Sequence, residues 1–392
     1  MSTTTYLSRR QEHLLAAVAA VVVANAYYIH PIIGEVADHF GVSHARIGLV
    51  PALNQLALAL GIFLLLPLGD RFSNRRLAIL FATGQTAAMG LMTLAGGFVP
   101  FVTGSTLLGF FTITPYLLPA YASKRVAPER LGQVTALIAA GAILGILVAR
   151  VGAGVIAEQF GWRSVYWIAT GLMVLVTLTL PRIMEHGERD STAHHSYPAL
   201  LLSVFPMIRE HREVLLSGII QALNFGQFIA LWLALSLYLT SPSMGYGTDT
   251  VGYLAGIAAV SIVSTPRLGS WADRIGPRKA RSIFALVQLG GISLFWPMGD
   301  TLWMLLMPLF IANLVGPGID VTSRMTFLTL RPDLRTRLTT IYVVLMFVGG
   351  GIGSVTGTAA FDAFGWSGTC IALAGMSLTL SLLASFGRRF GQ

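Results

Sequence analysis

Asp320 and Arg324 stand four residues apart in a run that is otherwise apolar or uncharged, from Leu302 to Leu330. On a helix that spacing puts both side chains on one face, one turn apart. Leaving water disfavours the charge of a carboxylate, and a neighbouring guanidinium favours it. Held between those two effects, Asp320 can load and release a proton as its surroundings change. The plain alternative is a permanent Asp320–Arg324 brace. Arg150 is the second deep charge, in Leu147-Val148-Ala149-Arg150. It cannot readily deprotonate, so it suits an anionic or hydroxyl-rich ligand, or a carboxylate that arrives with a conformational change. Snorkelling outward towards Glu158 is the other reading. His30 changes its charge near neutral pH in water and is either a second proton carrier or a hydrogen-bonded helix-end histidine. Ionisable groups at bilayer depth are costly, so each is a functional candidate.

That argument presumes a bilayer, and composition supports one. Hydrophobic residues make up 54% of 392 and charged residues 11%, with a mean hydropathy of +0.71. Soluble chains carry about 25% charge, so the apolar surface here exceeds what a water-soluble core hides. The net charge of +9 sits in short clusters between apolar runs, without a basic helix or stacking platform, so no nucleic-acid partner is expected. Cys370 is the single cysteine, which excludes a disulfide framework. His194-His195 makes no metal site, no phosphate-binding loop of the G-x-x-x-x-G-K-[ST] kind occurs, and no serine nucleophile motif is present. Neither an enzyme, a cofactor nor a metal is expected.

Runs of about 20 apolar residues cross a bilayer. Twelve are legible, at 14–35, 45–67, 77–97, 100–122, 131–157, 162–183, 213–239, 248–270, 280–298, 301–329, 336–360 and 367–386. They divide the chain into an N-terminal six-helix half (1–184), a connecting loop (185–212) and a C-terminal six-helix half (213–392). The later loop, from Tyr197 to Arg212, reads as an interfacial amphipathic helix or a linker. With the N-terminus inside, twenty-one Lys and Arg residues fall in inside segments and only Arg46 and Arg163 outside. That bias predicts two cytoplasmic termini.

The halves repeat. Leu68-Gly69-Asp70-Arg71 followed by Arg75-Arg76 returns as Trp271-Ala272-Asp273-Arg274 followed by Arg278-Lys279, an offset of 203 between the aspartates. Phe160-Gly161-Trp162 returns as Phe364-Gly365-Trp366, and Pro128-Glu129-Arg130 as Pro332-Asp333, both at an offset of 204. One displacement for three anchors means a duplicated architecture, which many membrane transporters use. Asp70 and Asp273 can pair with neighbouring arginines or face a helix N-terminus. Glu129, Arg130, Asp333 and Arg335 add a second symmetric set on the same side. Together with Arg71, Arg75, Arg274 and Arg278 they form a candidate gating ring; the alternative is that they cap helices and set topology.

On these motifs the chain resembles the major facilitator superfamily over nearly its whole length, with Leu68, Gly69, Asp70, Arg71 and Arg75 matching the loop signature after the second helix. Asn25-Ala26-Tyr27-Tyr28, Pro67 to Phe72, Gly145 to Arg150 and Gly161 to Trp167 resemble the bacterial sugar-efflux and drug:proton antiporter branch. Ser105 stands where those antiporters place an arginine, and Ala149-Arg150 where they place Gly-Pro. The resemblance implies an all-α integral membrane protein of twelve transmembrane helices in two pseudo-symmetric six-helix halves around a central cavity, lined by helices 1, 4, 7 and 10. Polar residues at helical spacing there are Asn25 and Tyr28, Thr112 and Tyr116, Gln221 and Asn224 with Phe228 beside them, and Asn313, Asp320 and Arg324. They are substrate-cavity candidates together with Arg150, although Asn and Gln can also bond neighbouring helices. Pro115, Pro119 and Pro317 interrupt helices four and ten and allow bending at cavity depth.

The expected function is secondary transport: proton antiport that exports a small organic solute, carried out by a monomer in a bacterial inner membrane. An uptake symporter or uniporter of a polar or anionic solute is the nearest alternative, and a non-transporting membrane solute sensor the alternative of another class. Gly349-Gly350-Gly351, Gly353 and Gly357, with Gly141 and Gly145, read as close-packing surfaces between helices.

Overall fold

The computed structural model describes residues 6–185, 197–202, 206–207, 210–328 and 335–387, and among these the side chains of 70, 198–200, 335 and 336 are not described. Asp333, and the side chains of Asp70 and Arg335, therefore lie outside the described residues, as do His194-His195 and most of the connecting loop. The twelve expected spans are all helical. Nine helical stretches are long and apolar enough to cross a membrane among the described residues, and the last of them contains two spans. The two remaining spans are Asn74–Thr93 and Pro277–Ser293.

Span 1 is not one helix. Arg9–Ala24 and Ile29–Phe40 are separated by a break at 25–28. The cause is Pro31: a proline ring collides with the carbonyl four residues back, here that of Tyr27, and the clash is relieved when the proline sits in the first turn of a new helix. Through the break the backbone bonds shorten to three residues, Ala26 N–H to the Val23 carbonyl and Tyr27 N–H to that of Ala24. Span 4 breaks in the same way, Phe98–Phe111 and Thr114–Ser123, with Pro115 four residues beyond Phe111. Thr114–Ser123 runs on through Pro119, and span 10, Leu302–Leu328, through Pro308 and Pro317, so the interruptions expected at Pro119 and Pro317 are not interruptions of the helix.

The other spans are Leu49–Leu65 (2), Pro128–Phe160 (5), Trp162–Ile183 (6), Arg212–Leu239 (7) and Thr248–Ile275 (8, through one short tight turn). Spans 11 and 12 form one run, Arg335–Phe386, broken at Gly365. Gly365 has φ 59 and its repeat partner Gly161 has φ 77, a left-handed backbone that only glycine adopts without strain. The repeated Phe-Gly-Trp is thus the same turn between spans 5 and 6 and between spans 11 and 12.

The glycines of spans 5 and 11 do pack helices. A Cβ at Gly145 would run into the Ala20 carbonyl of span 1, and one at Gly353 into the Gly226 carbonyl of span 7. Backbone-to-backbone contact of this kind replaces the hydrophobic drive that lipid cannot supply.

Spans 1–6 meet spans 7–12 through polar contacts at the bundle end away from the N-terminus. The Ser236 hydroxyl donates to the Pro31 carbonyl (2.9 Å), and Ser354 to that of Gly48 (2.7 Å). Thr248 donates its N–H to Glu158 (2.8 Å) and its hydroxyl to the Gly154 carbonyl (3.0 Å), and the His44 N–H reaches Asp362 (3.1 Å).

Candidate functional site

The break in span 1 positions the first cluster. It leaves Tyr27, Tyr28 and His30 buried at the level of Arg150 in span 5 and of Phe228 and Trp232 in span 7. Arg150 is 2% exposed and has no ion pair among the described residues. Its Nη2 donates to His30 Nδ1 at 2.9 Å. Because a guanidinium has only donors, His30 accepts through Nδ1 and carries its proton on Nε2. The charge lies over three rings, with centroid distances of 5.3 Å to Tyr27 and 4.7 Å to both Phe228 and Trp232. Each such contact contributes ~0.5–2 kcal/mol when desolvated, and a buried ion costs several kcal/mol. Three rings are of the right order to hold the charge, with little to spare. Arg150 Nε and His30 Nε2 are buried without partners, and so are both amide atoms of Asn25. Arg150 does not snorkel towards Glu158, whose carboxylate holds Thr248 instead.

The second cluster joins spans 10 and 11. Arg324 Nε donates to both oxygens of Asp320, at 3.0 and 3.1 Å. Tyr342 donates its hydroxyl to Asp320 Oδ1 at 2.7 Å, and the guanidinium of Arg324 lies 4.8 Å from the centroid of the Tyr342 ring. The Asp320 and Arg324 side chains are 29% and 31% exposed, so the pair is not sealed inside protein. A proton on Asp320 would remove the negative charge that pairs with Arg324 and weaken the hydrogen bonds it accepts from Arg324 and Tyr342. Tyr342 carries no mark in the sequence that separates it from other aromatics of span 11.

The stripe on span 7 turns into the C-terminal helices. Asn224 donates to the Gln221 side chain and to the Gly316 carbonyl, both at 3.1 Å. Gln288 of span 9 donates to Asn224 (3.1 Å) and Gln227 (2.5 Å), and Ser217 bonds Thr326 (2.9 Å). In the N-terminal half Thr112 accepts from Gln85 at 3.1 Å and donates to Leu108. Asn313 donates to the Leu309 carbonyl of its own helix (2.8 Å). In this conformation Asn224, Gln227, Ser217 and Thr112 bond neighbouring helices, whereas Gln221 and Asn313 bond within their own. Tyr116 meets Phe347 edge-on across the two sets of spans, with centroids 6.4 Å apart. Ser105 bonds span 2, donating to the Val50 carbonyl at 3.1 Å.

At the N-terminal end of the bundle, Arg130 pairs with Glu12 (2.8 Å) and Arg278 with Glu213 (3.3 Å). Arg75 donates to the carbonyls of Met184 (2.7 Å) and Pro181 (2.9 Å), where span 6 ends. Glu129, Asp273 and Arg274 are exposed, and Arg71 is half-buried. Arg281, fully buried, donates to Ser217 at 2.9 Å and sits 3.5 Å from Glu213. Glu12, Glu213 and Arg281 are absent from the ring expected on sequence. The signal for the two acids is their place in the first turns of spans 1 and 7, where a negative charge meets the positive helix end.

The family model of the Major Facilitator Superfamily matches residues 15–332. The chain belongs to the major facilitator superfamily. It is therefore a multi-pass membrane transporter and not an enzyme. Relatives of this superfamily member include an uncharacterized transporter, YgaY, of Escherichia coli O157:H7, 29% identical over 96% of this chain and 95% of that protein. A Streptomyces coelicolor protein described as a probable transporter, SCO4007, is 30% identical over 95% of this chain and 86% of its own. The multidrug resistance protein MdtG of Citrobacter koseri is 24% identical over 59% of each chain. Among solved structures, the nucleoside transporter NupG superposes with a TM-score of 0.79 at 13% identity, covering 95% of this chain and 99% of that one. A bacterial homologue of the lysosomal transporter Spinster, inward-facing and unoccupied, gives 0.78 at 14% identity, covering 97% and 96%. These likenesses show the fold: twelve helices in two six-helix halves.

Proposed function

We propose that this transporter exports a small organic solute in exchange for protons by alternating access. The reading rests on Asp320, a partly exposed carboxylate deep in span 10, held by Arg324 and Tyr342. It is roughly 12 Å along the helix from Leu328, the last described residue of span 10, using 1.5 Å per residue. A proton taken there releases Arg324, and a proton given up restores the pair, so occupancy of one site is coupled to the packing of spans 10 and 11. The partial likeness to MdtG supports the outward direction. The basic segments support two cytoplasmic termini in a bacterial inner membrane, with residues 1–184 and 213–392 as the two moving halves of a monomer. In that reading the charged groups around Asp70, Arg130, Asp273 and Arg278 gate the cytoplasmic end, and the contacts around Pro31, Gly48 and Gly154 close the outer end.

The test is transport in proteoliposomes with an internal pH dye, screening sugars, amino acids, organic anions and drugs. Wild type is expected to move protons against at least one solute, and Asp320→Asn to lose at least ten-fold of that proton flux while still binding solute. Equal flux in the variant would remove Asp320 from coupling. Solute and protons moving together would make the chain a symporter.

A further inference from the structure

Arg150 is a buried guanidinium with five N–H donors, of which a single one is satisfied, by a neutral imidazole. Among the described residues no carboxylate lies against it; aromatic faces do. The unpartnered groups beside it, Arg150 Nε and the N–H at His30 Nε2, are both donors, and the unpaired amide of Asn25 lies in the same break of span 1. A cluster rich in donors and walled by flat rings has the chemistry of an anion site with a place for an apolar body. Its members come from both halves: His30 and Tyr27 on span 1, Arg150 on span 5, Phe228 and Trp232 on span 7. Any motion that separates span 7 from spans 1 and 5 strips two rings from the guanidinium and leaves its charge exposed to whatever fills the gap.

We propose that Arg150 and His30 recognise the carboxylate of a small organic monoanion with a flat apolar body, and that Phe228 and Trp232 close over the guanidinium when no solute is bound. One positive charge matches one negative charge, and the planar fork with its free Nε matches a carboxylate in two-point contact. The rings of Tyr27, Phe228 and Trp232 match a flat apolar body by stacking. In the closed form the ring faces stand in for the anion; in the open form the anion replaces them. This inference names the solute class for the transport reading above and rests on it for the carrier role, but not on proton coupling.

The experiment is equilibrium dialysis of the purified full-length protein in detergent, without any gradient, against radiolabelled benzoate, phenylacetate and 4-hydroxybenzoate. Benzamide and benzylamine serve as the neutral and cationic counterparts. At least one carboxylate is expected to bind saturably and at least ten-fold more tightly than benzamide. Arg150→Gln is expected to weaken that carboxylate at least ten-fold. Arg150→Lys, which keeps the charge and loses the fork, covers the case of a poorly folding glutamine variant and is expected to weaken it several-fold. Absence of carboxylate binding, equal binding of benzylamine, or unchanged affinity in the folded arginine variant overturns the proposal. A protein that binds these carboxylates yet moves no protons in the liposome assay leaves this inference standing and defeats the coupling reading alone.

Discussion

Glu213 and Arg281 show what single residues contribute where the bilayer and the protein interior meet. Arg281 is fully buried and its partners are Glu213 and Ser217. Removing one member of a buried pair strands the other, which costs ~3–5 kcal/mol, whereas removing both with apolar replacements is often close to neutral. Glu213→Leu is therefore expected to lower the melting temperature in detergent clearly, and Glu213→Leu with Arg281→Leu to recover at least half of the loss. Equal melting of the single and double variants would mean that Glu213 acts through Arg278 instead. Asp320 differs because its side chain is 29% exposed rather than buried, so Asp320→Asn is expected to change proton flux far more than stability. The ion pair Asp320–Arg324 is legible from spacing alone, since both lie on one helix. The contact between Arg150 and His30 is not, because 120 residues separate them and neither pattern points to the other.

The elements are held by close approach rather than by burial from water. Gly353 touches the backbone of span 7, so Gly353→Val forces the two helices apart. Overpacking of this kind costs ~1–3 kcal/mol, and the expected readout is a lower melting temperature with reduced transport. A Cβ at Gly375 would meet nothing within 4 Å, so Gly375→Ala is expected to leave melting unchanged or raise it slightly. A loss at Gly375→Ala as large as that at Gly353→Val would show that interhelical contact does not set the sensitivity, since both replacements favour helix over glycine. Hydropathy and length mark ten of the twelve spans outright, all but Asn74–Thr93 and Pro277–Ser293, but not the two breaks. The signals for those are Pro31 and Pro115, each read four residues back from its ring. The bend expected at Pro115 is present, whereas hydropathy alone leaves span 1 looking like one unbroken helix.

The whole molecule is closed at the end away from its N-terminus. His44 and Asp362 meet there, with the His44 N–H 3.1 Å from the carboxylate. Replacing both, His44→Cys with Asp362→Cys, is expected to allow a disulfide that holds this end shut and stops transport, with activity restored by a reductant. The single native cysteine, Cys370, is buried and should not compete. Transport that continues with the bond formed would mean that this end need not open.

By itself the sequence determined the membrane setting, the number and order of the spans, the duplication and the family. Each of these depends on composition or on periodicity along the chain, and both survive without knowing where any helix sits. The turn made by Phe160-Gly161-Trp162 and again by Phe364-Gly365-Trp366 is the sharpest case, since a local backbone requirement is written twice. Tertiary structure alone decided which polar groups on different spans face one another. It turned Asn224 and Gln227 towards Gln288 and set Tyr342 on Asp320. It also brought Trp232 and Phe228 over Arg150. The reason is geometric: a helix presents residues on every side, and which side meets a neighbour is fixed by packing between spans far apart in the chain.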